Sequence, residues 1–220
     1  MLKRFYSTVP KEFIYELKTY NVPKNSIKEL NNAFKKINPN EKVLTGAWVN
    51  NSTTSTNQVY ALWRFESLDQ RKEIKQRVLT DEITSTIKPF EKDSSSIVFR
   101  EYPWAPTQLS ESESKENKVW DMVTYETKPG QLGSCGEGVS KAFNEKKKNN
   151  TPFGVFYSEF GTLNTILELW PYRSEQQHSE LNKSNNSNDT IKSSINNVSE
   201  NLKSNITTKL FTLDEYINKK

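Results

Sequence analysis

The sequence predicts an α+β protein made of two tandem ferredoxin-like β-α-β-β-α-β units, packed sheet to sheet as an intrachain pseudo-dimeric α+β barrel. An internal repeat is the first observation behind this prediction. The passage NQVYALWRF at Asn57–Phe65 returns as NTILELWPY at Asn164–Tyr172, which places Trp63 and Trp170 107 residues apart. Repetition at that spacing indicates one structural unit written twice. The second observation is that each half alternates strand-like and helix-like segments in the same order.

In the first half, period-two alternation of apolar residues predicts strands, and an i, i+3, i+7 spacing predicts helices. The first helix begins with the capping box Ser26–Glu29 and ends at Asn38-Pro39-Asn40. The second begins with Ser67 and Gln70. The predicted strands are Phe13–Tyr20 (ended by Pro23), Val43–Val49, Asn57–Phe65 and Ser96–Glu101, and Asn50–Thr56 is predicted to form a turn. The helix after Ser67 is predicted to cover Leu68–Leu79, with Leu68, Ile74 and Val78 buried. The segment Asp81–Lys92 is predicted to be partly helical, with a break at Pro89.

The second half repeats this order, with one weaker element. Ser174 and Gln177 form the same capping pair as Ser67 and Gln70, ahead of the Asn-rich run Asn182–Asn205. Because Asn and Ser are poor helix formers, this run is expected to give a weak or partly disordered helix. The predicted strands are Val119–Tyr125, Thr151–Glu159, Asn164–Tyr172 and Ile206–Leu213, and the predicted helix carries the apolar face Leu132, Cys135, Val139 and Ala142 as far as about Lys147.

These elements divide the chain into four parts. Residues 1–8 are predicted to form a short mitochondrial presequence, 9–102 the first unit, 103–118 an exposed linker and 119–217 the second unit. The presequence prediction follows from Lys3, Arg4 and Lys11, with no acidic residue before Glu12. The alternative interpretation is a basic, disordered N-terminus on a cytosolic protein.

Composition excludes several classes of function. The net charge is +4, and Lys146–Lys148 is the only sharp basic cluster, so the basic stripe typical of nucleic-acid binding is missing. One cysteine and one histidine exclude an intramolecular disulfide and the usual multi-Cys or His-pair metal sites. No run of about 20 apolar residues is present, so no transmembrane segment is predicted.

Four passages make the chain resemble the NIPSNAP family. They are YELKTY at Tyr15–Tyr20, ALWRFESLDQR at Ala61–Arg71, DMVTYETKPG at Asp121–Gly130 and FGVFYSEFGTLNTILELWPY at Phe153–Tyr172. Family strands often carry His two residues before the Trp, where this chain has Ala61 and Glu168, which weakens any haem-ligand or acid–base role at that position.

The resemblance implies a mitochondrial protein of the matrix or inner-membrane surface. It further implies a non-enzymatic interaction or scaffold role, linked to vesicle trafficking and to the marking of damaged mitochondria for autophagy. The partners would be autophagy proteins or membrane-associated mitochondrial proteins, and peripheral membrane binding and a homo-oligomer are both compatible with it. The wider superfamily includes monooxygenases and haem-degrading enzymes, so the alternative is a ligand- or haem-binding module that uses a pocket between the sheets. Neither haem nor any other cofactor is required by the residues.

The candidate residues for that pocket are acids within strands and large aromatic residues. Glu16 and Asp121 occupy equivalent places in two first strands, and paired carboxylates suit acid–base work. The alternative is that each forms an ion pair with a Lys or Arg on a neighbouring strand, such as Arg64. The aromatic residues either wall a flat cavity or simply fill the interface. The complete candidate set is Glu16, Trp63, Asp121, Glu168, Trp170 and Tyr172.

Two further residues are predicted to have no chemical role. His178 corresponds to Arg71 in the repeat and, without a second His or a nearby Cys, is predicted to be a surface residue. Cys135 lies in GQLGSCGEG, which imitates a phosphate-binding loop but lacks its Lys-Ser/Thr ending. We therefore predict that Cys135 is a small buried residue.

Overall fold

The computed structural model describes residues 12–41, 43–50, 56–77, 85, 87–90, 94–107 and 116–212. The predicted N-terminal presequence, most of the predicted 50–56 turn and the Val78 position lie outside these ranges. The strands are β1 (Ile14–Pro23), β2 (Leu44–Asn50), β3 (Thr56–Phe65), β4 (Ser95–Glu101), β5 (Val119–Glu126), β6 (Gly154–Phe160), β7 (Thr165–Tyr172) and β8 (Thr207–Thr212). The helices are α1 (Ile27–Glu41), α2 (Leu68–Arg77), α3 (Leu132–Lys146), α4 (Glu175–Ser187) and α5 (Asp189–Ser199), and a 3-10 turn covers Lys24–Ser26.

The eight strands form one continuous antiparallel sheet in the order β2-β3-β1-β4-β6-β7-β5-β8. Each half contributes four strands in ferredoxin-like order, and the halves join where β4 pairs with β6. The outer strands β2 and β8 also approach each other, so the sheet curls into a nearly closed barrel. The predicted fold class is confirmed, with the addition that the two sheets are hydrogen-bonded into one.

The barrel interior is filled by side chains from both halves. Rings of Trp48, Trp120, Phe153, Phe156 and Tyr15 contact one another in sequence, with centroids 4.7–6.1 Å apart. Such tilted and edge-on contacts are the preferred geometry of packed aromatic residues. The rest of the interior comprises Leu17, Tyr60, Leu62, Phe99, Met122, Leu167, Leu169 and Phe211.

Each half also has a second core on the outer face of its sheet, beneath its own helices. In the first half Phe34 of α1 meets Trp63 edge-on with the ring centroids 5.5 Å apart. In the second half Phe143 of α3 meets Trp170 at 5.4 Å. The two halves therefore repeat not only in sequence but also in their helix-to-sheet packing.

The capping pairs confirm the repeat at atomic level. The Gln70 N–H donates to Ser67 Oγ at 3.0 Å, and the Gln177 N–H donates to Ser174 Oγ at 3.2 Å. In both halves the Gln side chain accepts a hydrogen bond from the residue before the cap, Glu66 or Arg173. These bonds satisfy backbone groups that a helix N-terminus otherwise leaves unpaired.

Several predicted boundaries are wrong. Helix α1 continues past Asn38-Pro39-Asn40 to Glu41, because a proline in a last turn removes only one backbone donor. Residues 87–90 are helical and include Pro89, where a break was predicted. Leu68, the first residue of α2, is 38% exposed rather than buried, whereas Ile74 is buried as predicted.

The Asn-rich run is not a weak helix. It forms the end of α4 and the whole of α5, and Asn188 caps α5 by accepting hydrogen bonds from the Thr190 and Ile191 N–H groups. Ile191, Ser194 and Val198 lie on one buried face of α5. Val198 packs where Gly138 of α3 has no side chain, so tertiary packing overrides the poor helix propensity of Asn.

The start of the predicted linker packs against the second unit instead of being exposed. Trp104 stacks on Tyr102 at 4.8 Å and meets Phe143 edge-on, and Ala105 is fully buried. The contact is favourable because it removes the apolar surface of Trp104 and Ala105 from water. In the described part of the chain, no helix combines the length and apolar character needed to cross a membrane.

Candidate functional site

The six candidate pocket residues lie on the outer face of the sheet, between the strands and the helices. Successive residues of a strand point to opposite faces. In β1, Tyr15 and Leu17 point into the barrel interior, so Glu16 between them faces α2. In β7, Leu167 and Leu169 point into the interior, so Glu168, Trp170 and Tyr172 face α3 and α4. The predicted position between the sheets is therefore wrong for Glu16, Trp63, Asp121, Glu168, Trp170 and Tyr172.

Glu16 is a buried carboxylate that is fully paired. Arg71 binds it through Nε at 2.8 Å and Nη2 at 2.9 Å, Lys75 Nζ lies at 2.7 Å, and Ser96 Oγ donates at 2.5 Å. Burial alone would raise the pKa of Glu16, but Arg71 and Lys75 together lower it from 4.5 to about 2. The predicted alternative, an ion pair, is what the structure contains.

The partner of Glu16 differs from the one predicted. Arg71 and Lys75 both belong to α2, not to a neighbouring strand. Arg64 instead places its guanidinium 4.7 Å from the centre of the Phe13 ring. An acid on the helix-covered face of a strand pairs with a residue of the covering helix. Predicting that partner therefore requires knowing which face of the sheet the helix covers.

Asp121 makes the equivalent contact in the second half. His178 Nε2 lies 2.8 Å from Asp121 Oδ2 and 2.9 Å from the Asn182 side-chain nitrogen. Burial raises the pKa of Asp121, and the His178 interaction opposes that increase. The other carboxylate oxygen, Oδ1, is buried without a hydrogen bond of good geometry in the described chain, although the Tyr172 hydroxyl is close by.

His178 is therefore not the surface residue that was predicted. Its side chain is only 15% exposed and its ring meets Tyr172 edge-on at 4.8 Å. The repeat contained the signal that identifies this contact. His178 corresponds to Arg71 and Asp121 corresponds to Glu16, so an ion pair in one half predicts a pair in the other.

Glu168 is the most deeply buried acid, with no exposed surface. It accepts hydrogen bonds from Tyr125 Oη at 2.7 Å and Trp170 Nε1 at 2.6 Å, and Lys146 Nζ lies 3.1 Å away. Buried charge is tolerated only when it is paired in this way. Tyr125 and Lys146 were not predicted as partners of Glu168, because these contacts depend on which strand lies beside β7 and which helix covers it.

Two tyrosines complete this polar layer. Burial, together with the nearby carboxylates, raises the pKa of both Tyr125 and Tyr172, so both phenols stay protonated. Tyr125 donates its hydroxyl to Glu168. Among the residues that the structure describes, no group of three or more His, Cys, Asp or Glu side chains is arranged to hold a metal ion. The acids that were candidates for acid–base work hold helices onto the sheet.

Cys135 is fully buried on the α3 face, as predicted. The glycines around it serve packing rather than phosphate binding. A Cβ on Gly136 would lie 2.7 Å from the Tyr102 hydroxyl, and one on Gly138 would lie 2.5 Å from Val198. These glycines therefore let Tyr102 and α5 approach α3 closely.

Comparison with known proteins gives a consistent result. A family model described as NIPSNAP matches residues 15–106 and 120–207. A NipSnap homologue from Dictyostelium discoideum is 42% identical over 177 residues, covering 78% of this chain and 76% of that protein. A NipSnap protein from Drosophila melanogaster is 29% identical and covers 77% of this chain and 66% of its own length. A solved structure of a candidate monooxygenase from Fusobacterium nucleatum aligns over 93% of this chain and 96% of its own, with a TM-score of 0.67 and 9% identity, which is a likeness of fold alone.

Proposed function

Since the chain belongs to the NIPSNAP family, we propose that it is a non-enzymatic interaction protein of mitochondria whose partners bind its outer surface. The observation that carries this proposal is the filled barrel interior. The rings of Tyr15, Phe99 and Phe156 are fully buried there, and a haem would have to displace several such rings. Removing packed aromatic residues from a core costs about 3–5 kcal/mol each.

The competing function is a ligand- or haem-binding module of the monooxygenase type. It rests on the shared fold, and a fold hosts many unrelated activities. Titration of the full-length protein with hemin, followed through the Soret band, separates the two. We expect no saturable shift beyond that of an unrelated protein of similar size. A saturable shift with one hemin per chain would favour the competing function.

The mitochondrial location is the second part of the proposal. Lys3 and Arg4 are the basic residues of the short N-terminal segment, and import presequences depend on such charges. The wild-type chain with a fluorescent tag at its C-terminus should be found inside mitochondria, protected from added protease. Lys3→Glu with Arg4→Glu should leave it in the cytosol. A wild-type protein found in the cytosol would contradict this part.

The role in trafficking and mitophagy is the finest part of the proposal, and it rests on family resemblance. It predicts that cells without the protein deliver fewer depolarised mitochondria to lysosomes. Re-expression of the wild-type chain should restore delivery, and the chain with Lys3→Glu and Arg4→Glu should not. Unchanged delivery in the deletion strain would argue against this role and would leave the interaction function in place.

A further inference from the structure

A basic cleft lies where the C-terminus of α3 meets the N-terminus of α4. Its volume is about 390 Å³, and Lys147, Lys148 and Arg173 supply its positive charge. One acid, Glu116, lies in the same lining, so the cleft has two more positive than negative side chains. This is the Lys146–Lys148 cluster of the sequence, with the exception of Lys146, whose ammonium turns inward to Glu168.

The cations of the cleft are only partly neutralised. Lys148 pairs with Glu145 at 2.7 Å, whereas Arg173 and Glu116 are 3.9 Å apart and both strongly exposed, so water and salt screen that pair. Lys147 has no carboxylate partner among the residues that the structure describes; its ammonium lies 5.6 Å from the Phe143 ring centre. The cleft therefore keeps positive charge that is available to an anion.

Neutral hydrogen-bond donors accompany this charge. Gln177 lies in the lining, and its Oε1 accepts the Arg173 N–H at 2.7 Å. That bond fixes the orientation of the amide and leaves its Nε2 without a partner in the described chain. An amide nitrogen beside a guanidinium and an ammonium gives a donor set that matches the oxygens of a phosphate group.

Comparison with the first half shows that the fold itself does not require this charge. Glu66 occupies the place of Arg173, and its N–H donates to Gln70 in the same way. Phe34 and Phe143 are equivalent and 109 residues apart, which aligns Lys147 and Lys148 with Asn38 and Pro39. The same backbone carries an acid and neutral residues in one half and three cations in the other.

We propose that the basic cleft binds a phosphate group, carried either by a small soluble molecule or by a lipid headgroup. The donors come from Arg173, Lys147, Lys148 and Gln177. The inference does not depend on the proposed function, because it concerns only the charge and shape of this surface. The aligned positions of the first unit carry Glu66, Asn38 and Pro39 in place of these cations, so the proposal concerns the second unit.

The test uses two probes on the full-length protein. Calorimetric titration with pyrophosphate at low salt detects a soluble ligand, and cosedimentation with phosphatidylcholine vesicles, with and without phosphatidic acid, detects a headgroup. We expect saturable binding to at least one probe, weakened by added salt. Pyrophosphate binding without vesicle binding identifies a soluble phosphate compound as the ligand. Binding only to vesicles with phosphatidic acid identifies a lipid.

Three variants make the result specific. Arg173→Glu copies the first half and keeps the backbone bond to Gln177, so the fold should persist while binding falls about tenfold or more. Lys147→Gln, at an exposed position, should weaken binding in the same direction. Lys192→Gln removes the same charge as Lys147→Gln at an exposed position of α5 outside the cleft, and it should not weaken binding. Failure of the wild-type protein to bind either probe, or equal binding by Arg173→Glu, overturns the proposal; circular dichroism and thermal midpoints confirm that each variant is folded.

Discussion

The imidazole Nε2 of His178 lies 2.8 Å from the carboxylate Oδ2 of Asp121, and this contact holds α4 onto β5. Its counterpart in the first half joins Arg71 Nε to Glu16 Oε2, also at 2.8 Å. Each half therefore uses an acid from its first strand and a base from the helix that follows its hairpin. The two contacts differ in geometry, because Arg71 binds Glu16 through two nitrogens, whereas His178 places one ring nitrogen against Asp121.

The Asp121–His178 contact should stabilise the second half. We expect His178→Ala to lower the free energy of unfolding by roughly 1–3 kcal/mol, because the buried carboxylate loses its partner. His178→Arg should recover much of that loss by copying the first half. Urea denaturation followed by tryptophan fluorescence measures both, with Gln176→Ala on the exposed face of α4 as the control. Equal stability of His178→Ala and the control would mean that the contact contributes nothing.

Glu16 should make stability depend on pH in the acid range. Its pKa in the folded protein is about 2, below the ordinary value of 4.5. A depressed carboxyl pKa contributes stability that is fully present above pH 4.5 and is lost as the pH falls through about 2. We expect Glu16→Gln to cost about 3 kcal/mol at pH 7, the equivalent of that pKa difference.

The difference between wild type and Glu16→Gln should therefore shrink between pH 4.5 and pH 2. Urea denaturation at a series of pH values measures it. Glu137→Gln, at an exposed position of α3, is the matched control and should stay within about 0.5 kcal/mol of wild type. A difference that does not change with pH would show that Glu16 acts through packing rather than charge.

The sequence predicted the fold because the repeat and the hydrophobic patterns gave the same answer twice. The Trp63 and Trp170 passages fixed the two hairpins, and the Ser67–Gln70 and Ser174–Gln177 pairs fixed the helix starts. The family resemblance is confirmed over residues 15–106 and 120–207. The predictions were wrong where intrinsic helix propensity and tertiary packing favour different structures, as in the Asn-rich α5.

The position of the candidate residues was harder to predict for a physical reason. Alternation separates Leu62 from Trp63 but does not tell which face is inside, since both faces of this sheet are apolar and covered. The acids within the strands predicted a pocket, yet each one contacts a side chain of a covering helix. The partner of an acid in a helix-covered strand lies on the helix that covers it, as Arg71 of α2 and His178 of α4 illustrate.

Tyr125 should stabilise the protein through its bond to the buried Glu168 carboxylate. Tyr125→Phe keeps the ring and removes only the hydroxyl, which donates at 2.7 Å. Because hydrogen bonds to buried charges are stronger than neutral ones, we expect a loss of roughly 1.5–3 kcal/mol in chemical denaturation. Tyr157→Phe, at a half-buried position of β6, is the control and should change little. Equal effects of the two substitutions would mean that Glu168 is satisfied without Tyr125.

Two glycines should respond to alanine in opposite directions. Gly161, in the β6–β7 turn, has a φ of +91°, and an added Cβ would lie 2.6 Å from the backbone oxygen of Ser96. Gly161→Ala should therefore destabilise the protein by at least about 1–2 kcal/mol, because the left-handed conformation and the contact with β4 both resist a side chain. Gly133, in the first turn of α3, has open space around it, and Gly133→Ala should stabilise by about 0.5–1 kcal/mol because alanine favours helix. Thermal midpoints should move down for the first variant and up for the second. A thermal midpoint of Gly161→Ala at or above that of the wild type would show that the turn tolerates a side chain, and a lower midpoint for Gly133→Ala would contradict the second prediction.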